Sequence, residues 1–425
     1  MDGQLWLQKN SRSMNQPLRK KIRQAYVTRN KTTLIPVIIQ FKQTITQASL
    51  RSLQNHLGDH KCPVILKLPV IQAVSSRVSV DCLKQMCSWE GIERIYLDDV
   101  KKASLHIATP SIGSTAVQRK RGLTGKGINI AIIDTGVYPH PDLTRPVNRI
   151  VAFKDWVNHR KKPYDDNGHG THVAGDAAGN GWASKGKYQG PAPKAGIVGV
   201  KVLDKQGNGL DSTIIKGIEW CIKNRKRLKL RILSMSFGGP MTSPCKEDPL
   251  CQAVEKAVKA GLIVVVAAGN RGPGRRTLES PGNSPSAITV GAVDDRRTLR
   301  QSDDRITSFS SRGPTLDGRI KPDLVAPGEA IISLRAPCSL LDRQFPFLRI
   351  GKKYFELSGT SMSTPIVSGA AAQLLQCNPL LSPKQVKEKL KRNTFRLKLA
   401  PNTGGSGEIN VRFLNRNRHR SRVKG

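Results

Sequence analysis

The chain has 425 residues, 38% of them hydrophobic, enough for one large buried core and a smaller second domain. Seventy Lys and Arg against 31 Asp and Glu give a formal charge of +39, a surface that attracts polyanions and disfavours basic partners. No run of about 18 apolar residues occurs, which argues against a membrane span. Aromatics are only 5% and no zinc-finger or RNP-type pattern accompanies the charge, so non-specific polyanion contact is the most it implies.

Residues 1–30 are polar and basic and read as an extension with one helix. Their start, "MDGQLWLQKNSRSMNQPLRKKIRQAY", lacks an apolar h-region before a small-residue cleavage site, so a secretion signal is not expected. From residue 33 the texture changes. "TLIPVIIQFK" is a strand, and "TQASLRSLQNHLG" sets Leu50, Leu53 and Leu57 on one helical face. "CPVILKLPVIQAVSSRVSV" holds two strands with a break near Pro69. "VDCLKQMCSWEG" is a second helix and "IERIYLDD" a last strand. The order β-α-β-β-α-β over about 70 residues is a compact split-βαβ unit, a small α+β domain. "KKASLHIATPSIGS" (101–114) then reads as an exposed linker.

From "GKGINIAIIDTG" (125–136) onward, apolar strands alternate with helical stretches. Further strands are "AGIVGVKVL" (195–203), "LRILSMSFG" (230–238), "GLIVVVAAGN" (261–270) and "SAITVGAV" (286–293). Helices such as "STIIKGIEWCIKN" (212–224) and "PLCQAVEKAVKAG" (249–261) fall between them. This is an α/β pattern, a parallel sheet with helices on both faces. In such sheets chemistry gathers beyond the carboxyl ends of the strands. The tail "RFLNRNRHRSRVKG" (412–425) is almost purely basic and reads as disordered. Eight cysteines are scattered without a CxxC pair. Cys245 and Cys251 are close enough in sequence to bridge a loop, but reduced thiols are the expectation.

"ELSGTSMSTP" (356–365) places five hydroxyls in ten residues ahead of the small, apolar "IVSGAAAQLLQ". Alone it reads first as a Ser/Thr cap, with Pro365 in the first turn of a buried helix. Chemistry there requires a base, an orienting acid and an oxyanion donor elsewhere. Asp134 ends the strand "INIAIID". His169 lies between two glycines in "DDNGHGTHVAG" (165–175), and Asn270 closes "VVVAAGN". Each alone has an ordinary reading, as turn-former, loop histidine or cap. Together, an Asp, a His, an Asn and a Ser at strand ends and helix starts of one sheet are the parts of nucleophilic acyl transfer.

"AIIDTGVYPHPDL", "DDNGHGTHVAG", "SMSFGG", "VVVAAGN", "SSRGPTLDGRIKPDLVAPG" and "SGTSMSTP" strongly resemble the motifs of the subtilisin-like serine proteases, over roughly residues 108–412. The nearest resemblance is to their bacterial branch without a secretion signal. That implies a cytoplasmic bacterial location, or release by a non-classical route. The resemblance implies a subtilisin-like catalytic domain at 103–412, flanked by the extension 1–30 and the tail 413–425. It makes the unit at 31–102 a propeptide and inhibitor, with self-cleavage between about Lys101 and Pro110. Ser361 would be the nucleophile, His169 the base and acid, Asp134 the orienting carboxylate and Asn270 the side-chain oxyanion donor. Gly207, Asn208 and Gly209, with Ser236, Phe237 and Gly238, would form two backbone edges between which a peptide substrate adds as a strand.

Arg271 would stand at the rim of the specificity pocket and Glu279 at its floor, either paired or with Glu279 drawing in a basic side chain. No cofactor is implied for catalysis. Asp142 matches a calcium-ligand position of secreted relatives, but "GNGWASKGKYQGPAP" (179–193) does not resemble their calcium loop, so a structural calcium ion is left without a clear site. The rival reading is a non-catalytic scaffold or polyanion-binding protein on the same fold. The complete set Asp134, His169, Asn270 and Ser361 argues against it.

Overall fold

In the computed structural model, residues 6, 10, 13–14, 16–27, 34–58, 60, 62–64, 66–68, 72–97 and 105–415 are described. The chain divides into two compact units, Met1–Lys101 and Lys102–Gly425. In the first, α1 (Gln16–Val27) precedes β1 (Ile35–Phe41), α2 (Gln47–Leu57), β2 (Leu66–Leu68), β3 (Ala73–Val78), α3 (Val80–Met86) and β4 (Ile92–Leu97). The strands pair antiparallel in the order β2-β3-β1-β4. Alternate residues of β1, from Ile35 to Phe41, face the core and the others lie half-exposed, the period of two that pleating imposes. Leu18 and Ile22 of α1 are fully buried in that same core. The helix at 16–27 is thus part of the small unit rather than a free extension.

The larger unit opens with α4 (Leu105–Ser111) and α5 (Ser114–Arg121). This corrects the exposed linker expected at 101–114. Residues 101–104 lie outside the described residues, but Ala108 and Ile112 are fully buried against the main core. Ile107, Ala108 and Ile112 had the spacing to reveal this. The unit continues through β5 (Asn129–Asp134), α6 (Pro141–Thr144), β6 (Ile150–Asp155), α7 (His169–Ala178), β7 (Gly196–Lys201), α8 (Asp211–Asn224), β8 (Leu230–Met235) and β9 (Gly239–Pro240). Next come α9 (Pro249–Lys259), β10 (Ile263–Ala267), β11 (Glu279–Ser280), β12 (Ile288–Asp294), β13 (Arg305–Ile306), β14 (Leu324–Pro327) and β15 (Ile331–Leu334). Last are α10 (Leu340–Gln344), β16 (Arg349–Ile350), β17 (Tyr354–Leu357), α11 (Thr360–Cys377) and α12 (Pro383–Arg392).

Eight strands form the central sheet in the order β13-β12-β10-β8-β5-β7-β6, with β14 beside β12. All pairs are parallel except the short β13. Ile130 and Ile132 of β5 point into the core under α7 and α11, while Ala131 and Ile133 point into the core under α8 and α9. A strand buried on both faces must be apolar at every position, which is why these strands read as continuous runs. Asp134 stands level with Lys201, and Ile133 with Met235. The register therefore brings the ends of β5, β7 and β8 to one mouth.

Two expectations for the C-terminal part change. Pro365 is the sixth residue of α11, not in its first turn, so the carbonyl of Ser361 lacks its usual helical donor. The basic tail begins later than residue 412. Arg412–Asn415 form a short turn with Leu414 buried, and Val411 N–H donates to Ile112 O at 2.9 Å. The stretch 416–425 lies outside the described residues. Among the described residues no helix is long and apolar enough to cross a membrane.

Candidate active site

Asp134 is completely buried at the end of β5. Its Oδ1 accepts the Thr135 N–H at 2.7 Å and the His169 Nδ1–H at 2.8 Å, while Oδ2 has no partner among the described residues. A proton on Nδ1 leaves Nε2 free to accept one. The His169 ring is 23% exposed, so it reaches the surface from one side only. Burial alone would lower its pKa. The Asp134 carboxylate, by charge and by hydrogen bond, with Asp165 and Asp176 behind it, outweighs burial and raises it.

The loop carrying His169 is held by residues the sequence reading passed over. Asp165 accepts from Thr135 Oγ1, Asn167 N and Gly168 N with one oxygen, and from Thr171 N and Oγ1 with the other. An Asp that accepts N–H groups two and three residues on makes an Asx-type turn, and the run "DDNG" was its one legible signal. Gly170 permits the close approach. A Cβ there would stand 2.2 Å from Gly136 O and 3.1 Å from the Asp134 Cβ. Lys201, fully buried, donates to Thr135 O at 2.6 Å, Leu203 O at 2.8 Å and Asp166 Oδ1 at 2.8 Å. It ties the segment after Asp134 to the segment before His169. A lone Lys ending an apolar strand was its signal.

The five hydroxyls of the serine-rich stretch separate by their partners. Ser358 Oγ accepts Ala330 N–H, and Ser363 Oγ donates to Ala326 O deep in the core. Thr364 Oγ1 donates to Thr360 O, and Thr360 Oγ1 donates to Asn270 Oδ1. Ser361 alone lies at the cleft. Its Oγ donates to Ser236 O at 2.8 Å, so the structure joins Asp134 to His169 directly but does not show a Ser361–His169 hydrogen bond. Asn270 Oδ1 is committed to Thr360 N–H and Oγ1, at 2.9 and 3.0 Å. That orientation turns Nδ2 outward. A Cβ at Gly359 would meet Asn270 Nδ2 at 3.4 Å and Ser361 N at 3.6 Å, so these two donors border one small space.

A groove of about 380 Å³ runs beside this site. It is lined by Gly207, Asn208 and Gly209 on one side and by Phe237 and Gly238 on the other, with Pro240, Ser243 and Asp248 at its end. Ser236 lies between the groove and Ser361. Glu279 pairs with Arg271, Nε to Oε1 at 2.9 Å, and packs where a Cβ at Gly238 or Gly269 would fall. Of the two arrangements open to these charges, the paired one is present. Burial raises the Glu279 pKa, and Arg271 offsets part of that rise. The structure also joins Cys245 to Cys251, contrary to the expectation of reduced thiols, on the loop that closes the groove. Asp248 in that loop caps α9 through Cys251 N–H and accepts Ser280 Oγ–H at 2.5 Å.

The position of Asp142 does not fit a cation. Its Oδ1 accepts Ala183 N–H at 2.9 Å and its Oδ2 accepts Tyr354 O–H at 2.9 Å. Both carboxylate oxygens thus face donors, and the Arg149 guanidinium donates to the backbone carbonyl of Asp142. Among the described residues no group of three or more His, Cys, Asp or Glu is arranged to hold a metal.

A doubly covered parallel sheet with a buried Asp–His pair at one strand end and a serine at a helix start is the frame of a serine hydrolase. The chain belongs to the subtilase family, peptidase S8, whose model matches residues 125–415. It is similar to serine protease AprX of Bacillus subtilis (strain 168), 46% identical over 384 residues, 88% of this chain and 86% of that protein. Subtilisin E of the same organism is 32% identical over 365 residues, 83% of each. Among solved structures, Sphericase is matched over 73% of this chain and all of its own, at 30% identity and a TM-score of 0.58. A cold-adapted subtilisin-like serine proteinase is matched over 68% of this chain and 88% of its own, at 32% identity and a TM-score of 0.51. The chain is accordingly a serine endopeptidase that hydrolyses peptide bonds of proteins and peptides.

Proposed function

We propose that the chain cuts peptide bonds through Ser361, His169 and Asp134, with broad specificity, and that it is made as a self-processing zymogen. Ser361 Oγ turns from the Ser236 carbonyl toward His169 Nε2, which takes its proton as Oγ attacks the scissile carbonyl. Asp134 holds the ring and stabilises the imidazolium. The oxyanion is met by Asn270 Nδ2–H and Ser361 N–H. His169 then passes the proton to the leaving amine, and water, deprotonated by the same ring, releases the acyl group from Ser361. The observation carrying this reading is the common space bordered by Asn270 Nδ2 and Ser361 N.

Substrate would add as a strand between Gly207–Gly209 and Ser236–Gly238. Main-chain hydrogen bonds do most of the holding, hence the tolerance of many sequences. Large apolar side chains fill the pocket beside the paired Arg271 and Glu279. A basic side chain displaces the exposed Arg271 and takes its place on Glu279. The first unit, Met1–Lys101, would serve as folding assistant and inhibitor, with processing before Leu105, where α4 begins.

Ser361→Ala is the test. It should abolish peptide hydrolysis and labelling by a fluorophosphonate, and should leave a full-length chain where the wild type is truncated. Appreciable turnover by Ser361→Ala would overturn the assignment, and equal lengths of the two proteins would overturn self-processing.

A further inference from the structure

At the end of the central sheet away from Ser361, the chain gathers cations around a concavity. The starts of β5, β8 and β10 and the end of α11 enclose a groove of about 530 Å³, rimmed by Lys126, Arg225, Lys226, Lys229 and Arg231. Because the strands are parallel, this groove and the catalytic cleft lie at opposite ends. The 18 residues of α11 run between them, a span of about 27 Å at the usual helical rise.

Part of this charge has a local explanation. α8, α9 and α11 all end here, and a helix C-terminus favours cations. Arg225 donates to Ile222 O at 2.8 Å, and Arg231 donates to Pro379 O at 2.7 Å and Leu381 O at 3.1 Å. Lys126, Lys226 and Lys229 are different. All three are exposed, and none has an ion pair or side-chain hydrogen bond among the described residues. Lys229 is held at φ +46, a left-handed conformation that a lysine rarely adopts, at the turn into β8. The segments 118–127, 223–231 and 256–262, which build this end, contain no Asp or Glu. Among the described residues nothing pairs with the three lysines, which leaves their charge available to an anion that docks there.

The arrangement suits a polymer better than a single ion, because five cations line one groove and three of them are left without a partner among the described residues. No aromatic side chain lines the groove, so unpaired bases have no platform to stack on. What remains is contact with evenly spaced phosphates, which positions a duplex without reading its sequence. We propose that this groove docks the phosphodiester backbone of duplex nucleic acid, on the face opposite the catalytic cleft.

The test is binding of a short labelled DNA duplex to the purified enzyme across a salt series. Combined Lys126→Gln, Lys226→Gln and Lys229→Gln should weaken binding tenfold or more and flatten the slope of log affinity against log salt by about 0.9 per lysine removed. Turnover of a small uncharged peptide should not change, so a lost fold is told apart from a lost site. Lys161→Gln, Lys162→Gln and Lys205→Gln, in loops at the catalytic end, should cost markedly less binding. Unchanged affinity in the groove variant overturns the proposal. Equal loss in both variants also overturns it, since net charge alone would then account for binding. So does retention by a glycerol-phosphate polymer with no binding to duplex. Each outcome is independent of whether Ser361 is the nucleophile.

Discussion

His169 is the residue whose surroundings make the sharpest demand on pH. Asp134 favours the charged ring more than burial disfavours it, so the pKa lies above the ordinary imidazole value of about 6.5. A base must be neutral to work. The acidic limb of kcat/KM should therefore inflect above that value. Asp134→Asn removes the favouring charge and leaves burial, so the inflection should move down while turnover falls by about 10⁴, the size known for triad serine proteases. An inflection that stays in place in Asp134→Asn would separate His169 from the rate. The same raised pKa contributes to folding stability fully below the unfolded-state value and loses that contribution as pH rises through the folded-state value. The enzyme thus gains activity over the window in which this contribution fades.

Glu279 makes a second residue-scale prediction. Glu279→Gln should lower kcat/KM about tenfold for substrates with Arg or Lys at P1, and leave large apolar P1 side chains little changed. Because burial raises the Glu279 pKa, the preference for basic P1 in the wild type should hold above that pKa and fade as pH falls through it. A P1-varied fluorogenic library run on both proteins decides. Parallel profiles would place Glu279 outside the pocket.

Among elements, α11 carries the site by its first turn and the core by the rest. Met362 to Leu375 are all buried, and Ser363 and Thr364 spend their hydroxyls on backbone carbonyls. Gly359, just before it, has φ +155 and ψ 161, a region that is essentially glycine's alone. Alanine there should strain the backbone by about 1–3 kcal/mol and set a methyl group at contact distance from Asn270 Nδ2 and Ser361 N, inside the space those two donors border. We expect Gly359→Ala to lower kcat by 10²-fold or more, approaching the loss of about 10²–10³ known for subtilisin's own oxyanion asparagine. KM should change far less, and a preserved kcat would remove Gly359 from the site. α7 shows the same division of labour. His169 opens it toward the cleft, while His172, one turn on, is buried between Asp176 Oδ2 at 2.9 Å and the carbonyls of Ile331 and Phe355, both at 3.1 Å. Both its nitrogens face acceptors, so it pins the helix to β15 and β17.

For the whole molecule, the engagement of both Asp142 oxygens by Ala183 N–H and Tyr354 O–H predicts indifference to chelation. Excess EDTA should leave turnover and the melting temperature of the purified enzyme unchanged, whereas a clear drop in either would reveal a cation site. At this scale the sequence determined a good deal unaided. The parallel sheet was legible because a strand covered on both faces must be apolar throughout, and the position of the site because such sheets expose their chemistry at the strand ends. The motifs around Asp134, His169, Asn270 and Ser361 announced the family. Tertiary structure decided what depends on partners distant along the chain. Leu18 of α1, Ala108 of α4 and Leu414 after residue 412 looked like parts of polar extensions until cores covered them. Lys201 and Asp165 became scaffolding of the site only when strands far apart in sequence closed around them. Which of five hydroxyls remained at the cleft was settled the same way, because a hydroxyl's task is set by the acceptor it meets in the fold and not by its neighbours in the chain.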